Sequence, residues 1–343
     1  MSGARGGLGE RWLAAAYRGA PWLALLRPLE ALYRWAVRRR ASAYAQGRKP
    51  VWRAPVPVIV VGNLTLGGTG KSPLVAWLAE HLQARGHAPG ILSRGYGGRS
   101  DAYPLWVTAE TPVAACGDEP RMLAAQTGVP LVVDPQRPRG ARRLLEAGCD
   151  ILISDDGLQH LALGRDLELV VVDGARGFGN ARCLPAGPLR EPLARLESVD
   201  AVIINGEPAF APPAGAYRMA LEPSAWRRVA DDEALALTPP PFTGPVHGVA
   251  GIGNPRRFFA TLARLGLAVT PHPFADHHRF AAADLDFGDD RPVVMTAKDA
   301  VKCRDFASPA CWALEVKARP DTTFIEWLDG RLDTLNPVPT RER

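Results

Sequence analysis

The sequence predicts an α/β fold: a mostly parallel sheet with helices on both faces, a smaller C-terminal α/β lobe, and an amphipathic helical arm at the N-terminus. Three observations predict it. Short apolar runs recur at residues 57–61, 90–93, 130–134, 150–155, 167–173 and 200–205, with helical segments between most of them. A further strand signal at 246–251 meets Asn254-Pro255, a helix cap followed by a first-turn proline, after a Pro-rich stretch. Residues 22–38 carry apolar side chains at helical spacing.

With 343 residues, 47% of them hydrophobic, the chain supports one large core or two modest ones and is far from a disordered composition. Its five cysteines (Cys116, Cys149, Cys183, Cys303 and Cys311) include no CxxC pair, and read as reduced, mostly buried thiols of a cytosolic protein. The net charge of +5 is unevenly placed. Residues 1–53 hold eleven Lys or Arg against Glu10 and Glu30, a net of +9, which leaves −4 for the other 290 residues. The arm therefore suits an anionic surface.

Lipid is the surface expected. The arm lacks a signal-peptide layout, and its longest uncharged run, 19–26, falls well short of the roughly 20 residues needed to span a bilayer. Trp22, Leu25, Leu26, Leu29, Leu32, Tyr33, Ala36 and Val37 share one side of a helix that Pro28 starts or kinks; Arg27, Glu30, Arg34 and Arg38 fall opposite. Bordered by Arg38, Arg39 and Arg40, such a face fits a helix lying among headgroups, the alternative being a helix packed on the protein's own core. No RNP, KH or helix-turn-helix signature is present, so nucleic acid is not an expected partner.

The strand at 57–61 runs into Thr65-Leu66-Gly67-Gly68-Thr69-Gly70-Lys71-Ser72, and 74–82 reads as a helix. Strand, Gly-rich turn and helix form the context of a phosphate-binding loop, whose N–H groups and helix dipole draw phosphate oxygens. Lys71 is expected at the β- and γ-phosphates and the Ser72 hydroxyl on Mg²⁺. Thr65 departs from GxxxxGK[ST], standing where its first Gly belongs. The fold expectation thus sharpens to a P-loop NTPase-type sheet, with ATP and Mg²⁺ as cofactors.

A second apolar strand, 151–154, ends in Asp155 and Asp156, the arrangement that holds Mg²⁺ opposite the loop hydroxyl. Asp156 capping the next helix is the competing reading. The strand 169–173, ending in Asp173, competes less strongly. After Asn205 the prolines 208, 212, 213 and 239–241 suggest a linker or excursion. The organisation expected is an arm (1–53), a kinase core (54–242) and a smaller lobe (243–343). Thr296-Ala-Lys-Asp299 differs in spacing from the guanine-reading NKxD and is read as structural.

Six ordered elements, NLTLGGTGKSP (63–73), SRGYGG (93–98), GDEP (117–120), DDGLQH (155–160), LPAGPLREP (184–192) and FADHH (274–278), resemble the tetraacyldisaccharide 4'-kinases over about residues 10–305. The resemblance implies transfer of the γ-phosphoryl of ATP to the 4'-hydroxyl of a tetraacylated glucosamine disaccharide 1-phosphate, by a peripheral enzyme at the inner face of the cytoplasmic membrane. It implies Asp118 as catalytic base with His277 as partner, and Glu119, Asp155 and Asp156 in magnesium handling. Tyr96, His160, Arg190 and Glu191 would line the cleft. Thr65 is usual for that group. From the residues alone, His278 competes with His277. The alternative function is a membrane-associated regulatory P-loop NTPase without a small acceptor, for which the GDEP and FADHH elements would have no use. A soluble nucleoside or small-sugar kinase leaves the arm unexplained.

Overall fold

The computed structural model describes residues 8–335; residues 1–7 of the arm and 336–343 of the C-terminal lobe lie outside it. In chain order the arm forms α1 (Leu8–Arg18), a 3₁₀ turn (Pro21–Leu26) and α2 (Arg27–Ala45). The core follows as β1 (Val58–Gly62), α3 (Lys71–Ala84), β2 (Pro89–Ser93), β3 (Leu105–Val107), α4 (Val113–Cys116), α5 (Asp118–Thr127), β4 (Leu131–Val133), α6 (Arg137–Glu146), β5 (Ile151–Asp155), β6 (Leu167–Asp173) and β7 (Ala201–Asn205). Then come β8 (Tyr217–Arg228), β9 (Ala234–Ala236), β10 (Val246–Ala250), α7 (Pro255–Arg264), β11 (Val269–Pro273), β12 (Val293–Thr296), α8 (Ala297–Cys303), β13 (Cys311–Pro320) and α9 (Thr322–Leu335).

The strands join in one sheet ordered β11-β10-β12-β13-β8-β7-β6-β1-β5-β2-β4-β3, with β9 beside β8. Strand β1 is central, parallel to β5 on one side and β6 on the other. The alternating side chains of β1 explain why its run is apolar throughout. Ile59 and Val61 pack with Leu74, Leu78 and Leu82 of α3, while Val58 and Val60 pack against Leu144 of α6 and Leu189. Each fully buried Leu contributes about 2 kcal/mol through removal of its surface from water.

Two expectations need correction. The Pro-rich stretch after Asn205 is not only a connection, because β8 lies inside it, parallel to β7 and antiparallel to β13. It thereby carries the sheet from the core into the C-terminal strands. Glu30 was expected on the polar, outward side of the arm helix, and it is buried. Its carboxylate accepts from the Cys183 N–H at 3.0 Å and pairs with Arg182 at 3.2 Å, so α2 is turned with Leu29, Leu32 and Trp35 facing out, as Leu25 of the 3₁₀ turn also does. Pro28 starts α2 in its first turn. All five cysteines are free and buried.

Candidate active site

The phosphate loop hangs between the end of β1 and the start of α3. At the cap of that helix Gly70 has φ 96°, a conformation that favours glycine, and a Cβ there would collide with the Asn205 amide. Lys71 and Ser72 consequently occupy the first turn, where backbone N–H groups have no helical partner and the dipole is positive. Both side chains are buried.

The parallel register sets Val61 opposite Asp155, which brings the end of β5 beside the root of the loop. Asp155 is buried; one oxygen accepts from the Ser93 hydroxyl at 3.4 Å and the other has no hydrogen-bond partner among the described residues. Burial, reinforced by the charge of Glu119, raises its pKa above the usual carboxylate range. Asp156 takes φ 47°, turning its carboxylate toward Arg190 at 2.8 and 2.9 Å and Lys71 at 3.7 Å. Burial alone would raise its pKa, but Lys71 and Arg190 outweigh that and hold it at about 2.

Asp118 lies in the first turn of α5, after Gly117 at φ 91°. It meets His277, 159 positions later, with Nδ1 of the ring 2.9 Å from Oδ2. This separates the two histidines: His278 instead bonds Asp284 at 3.1 Å. The Asp118 bond raises the His277 pKa against the opposing effect of burial. In Asp118 burial acts to raise the pKa, yet the His277 hydrogen bond and the Lys298 and Lys302 charges bring it below the ordinary value.

The other sequence-named residues fall around these two groups. Tyr96 is 69% exposed and stands edge-on to the His277 ring at 5.1 Å. His160 is pushed down to about 4 by burial and by Arg137 and Arg94, so it is neutral near pH 7. Glu191 accepts from Gln159 at 2.6 Å, and the Gln159 carbonyl oxygen lies 3.4 Å from Arg190, the residue that bonds Asp156.

Lys298, set aside in the sequence as part of a structural motif, enters the cleft. Its ammonium lies 3.0 Å from Glu119, 3.3 Å from Asp276 and 3.4 Å from Nε2 of His277. Burial would lower its pKa, but the carboxylates Glu119, Asp276 and Asp118 raise it, so it stays charged. Its neighbours in that motif are structural: Thr296 caps α8 and Asp299 accepts from the Gly251 N–H at 2.9 Å. Arg137 was also missed; it is fully buried and donates to the Asp155 carbonyl at 2.6 Å, supporting the β5 turn from behind. No local spacing distinguished either residue. The cavity above the loop is lined by residues 68–73 together with Glu119, Lys298 and Phe258, so the loop and the GDEP helix face one space.

The model of the tetraacyldisaccharide-1-P 4'-kinase family matches residues 22–333. The chain is 53% identical to the tetraacyldisaccharide 4'-kinase of Pseudomonas aeruginosa over 327 residues, 95% of this chain and 98% of that protein. It is 53% identical to that of Azotobacter vinelandii over 329 residues, covering 96% and 98%. Its fold matches the crystal structure of LpxK from Aquifex aeolicus in complex with ATP, with TM-score 0.76 and 28% identity over 92% of this chain and 99% of that one. On a family match that spans most of its length, and on relatives matched over nearly all of theirs, the chain belongs to the tetraacyldisaccharide-1-P 4'-kinase family and is an ATP-binding kinase of lipid A biosynthesis.

Proposed function

We propose that Asp118, oriented by His277, takes the proton of the 4'-hydroxyl of a tetraacylated disaccharide 1-phosphate while the γ-phosphoryl of ATP passes to that oxygen. The observation that carries this is the 2.9 Å Asp118–His277 bond, formed beside the cavity that the phosphate loop lines. A sugar hydroxyl is a poor nucleophile until its proton is accepted, and the lowered pKa of Asp118 keeps it an acceptor at neutral pH. Phosphoryl transfer otherwise depends on positioning and charge neutralisation. Lys71 supplies the charge nearest the phosphates, held in place by Asp156, which Arg190 and, behind it, Gln159 and Glu191 fix in turn. Exposed Tyr96 and neutral His160 are proposed to line the acceptor side.

The residues present fit Mg²⁺. Asp155 has an unpartnered buried oxygen and is destabilised as an anion by Glu119, so a cation between them would relieve both. Ser72 would complete the protein ligands. Among the described residues no group of three or more His, Cys, Asp or Glu is placed to hold a metal alone, which suits an ion that keeps water and phosphate oxygens as ligands. Bound there, Mg²⁺ would neutralise charge on the β- and γ-phosphates.

The test is transfer of phosphate from ATP to the lipid disaccharide in detergent micelles. Labelled 4'-phosphate product is the expected result. Release of phosphate to water alone, unchanged by the lipid, would favour the regulatory NTPase.

We also propose that residues 1–53 hold the enzyme at the inner face of the cytoplasmic membrane. No described helix is long and apolar enough to cross a membrane. Leu25, Leu29 and Leu32 are 82%, 55% and 61% exposed, with Trp22 and Trp35 beside them and Arg38, Arg39 and Arg40 following. Such a face favours the interfacial helix over the packed one, since among the described residues these side chains meet no core. Changing Leu25, Leu29 and Leu32 together to Ser should weaken binding to anionic vesicles by about 10-fold or more, and salt should weaken what remains. Sedimentation with vesicles measures both; equal binding by the variant would exclude the interfacial role.

A further inference from the structure

The phosphate loop has a second side. For its N–H groups to face a nucleotide its carbonyls must turn away, and four consecutive carbonyls each meet a side-chain donor from a different segment. The Tyr17 hydroxyl, from α1, donates to the Leu66 carbonyl at 2.7 Å. Asn63 donates to Gly67 at 3.3 Å, Arg176 to Gly68, and Asn205 to Thr69 at 2.8 Å. Two of these donors reach outside the core. Arg176 lies over the Tyr17 ring, 4.9 Å from its centre, and also donates to the Gly253 carbonyl of the β10–α7 loop at 3.1 Å.

We propose that Tyr17 and Arg176 are positioning residues for the nucleotide, and that through them the seating of the arm helix on the core is coupled to ATP affinity. This rests on the reading of residues 65–72 as the phosphate loop. The physical reason lies in the loop's composition. Gly67 and Gly68 carry no Cβ to bias their peptides, so without outside donors these peptides can reorient and take an N–H away from the phosphates. Helix α1 closes on the same spot, since a Cβ on Gly67 would meet Leu13 at 3.7 Å and the Arg176 guanidinium at 3.1 Å. Lifting α1 therefore releases the Leu66 carbonyl, and by reciprocity a bound nucleotide tightens α1. An arm that meets lipid on its outer face and the phosphate loop on its inner one links membrane contact to nucleotide binding.

The test uses the full chain and a non-hydrolysable ATP analogue. Tyr17→Phe keeps the ring and loses only the hydroxyl. It should raise the Kd for the analogue about 3- to 10-fold, with the KM for the lipid acceptor changed by less than about 2-fold. Arg176→Gln should raise that Kd about 10- to 100-fold, and Arg176→Lys should restore part of it, because an ammonium keeps the charge but does not bridge two carbonyls. Hydrogen exchange in α1 should slow on analogue binding in the wild type and not in Tyr17→Phe. Unchanged analogue affinity in Tyr17→Phe, or parallel losses for analogue and acceptor, would overturn the coupling. Lys71→Ala separates the two readings: if it turns over normally the phosphate loop itself is misassigned, and if it is inactive while Tyr17→Phe binds normally, only the coupling fails.

Discussion

Replacing Lys71 with alanine is expected to lower turnover by about 10²- to 10³-fold without unfolding the protein. The loss follows from where charge develops: the ammonium meets phosphate oxygens whose negative charge rises in the transition state, so its removal is felt more in kcat than in ATP binding. Folding should survive because Asp156, the one carboxylate paired with Lys71 among the described residues, keeps both of its bonds to Arg190. Steady-state kinetics beside a thermal melt will decide it; kinase activity within about twofold of wild type in a folded variant would remove Lys71 from the site.

The second large effect is expected at the Asp118–His277 pair. Asp118→Asn should lose about 10²- to 10⁴-fold in kcat, the range general-base catalysis supplies, and His277→Ala a comparable part of it. The double variant should lose little more than the worse single one, since two residues acting as a unit cannot each be removed twice. The pH profile gives the sign. His277 lowers the Asp118 pKa, so His277→Ala should let burial raise it and move the acidic limb of kcat to higher pH. Asp118 raises the His277 pKa, so Asp118→Asn should let that ring titrate lower, toward or below its ordinary value near 6.5. Stability follows the same bookkeeping. The Asp118 contribution is present above its unfolded pKa and is lost as pH falls through the depressed value, while that of His277 is present below its unfolded pKa and lost as pH rises through the raised one. Additive losses, or normal turnover in His277→Ala, would dissolve the pair.

Strands β1, β2, β4, β5, β6, β7 and β10 were legible because each is buried on both faces, and a parallel sheet covered by helices demands runs such as VIVVG with no polar alternation. The partly exposed β3, β8, β9, β11 and β13 carry no such uniform run, and β12 is only four residues long, so these six were not read. The phosphate loop was legible for another reason: its function needs glycines, a lysine and a hydroxyl adjacent in the chain, where the backbone itself forms the site. The arm was half legible. Its period marked a helix, but which face turned outward depended on Cys183 and Arg182, more than 150 residues away, which draw Glu30 inward.

What the sequence determined by itself were those features that short-range stereochemistry settles: the α/β class, a helix after the loop, the helix start at Pro255, the loop and its lysine, and the carboxylates at the end of β5. The tertiary structure alone decided which histidine meets Asp118, that Lys298 stands among Glu119, Asp276 and His277, and that Tyr17 of the arm touches the loop at Leu66. These contacts join residues 21 to 179 positions apart on separate segments of the chain. Their partners are chosen by how helices and loops pack over the sheet, and no spacing along the chain encodes a distance across it.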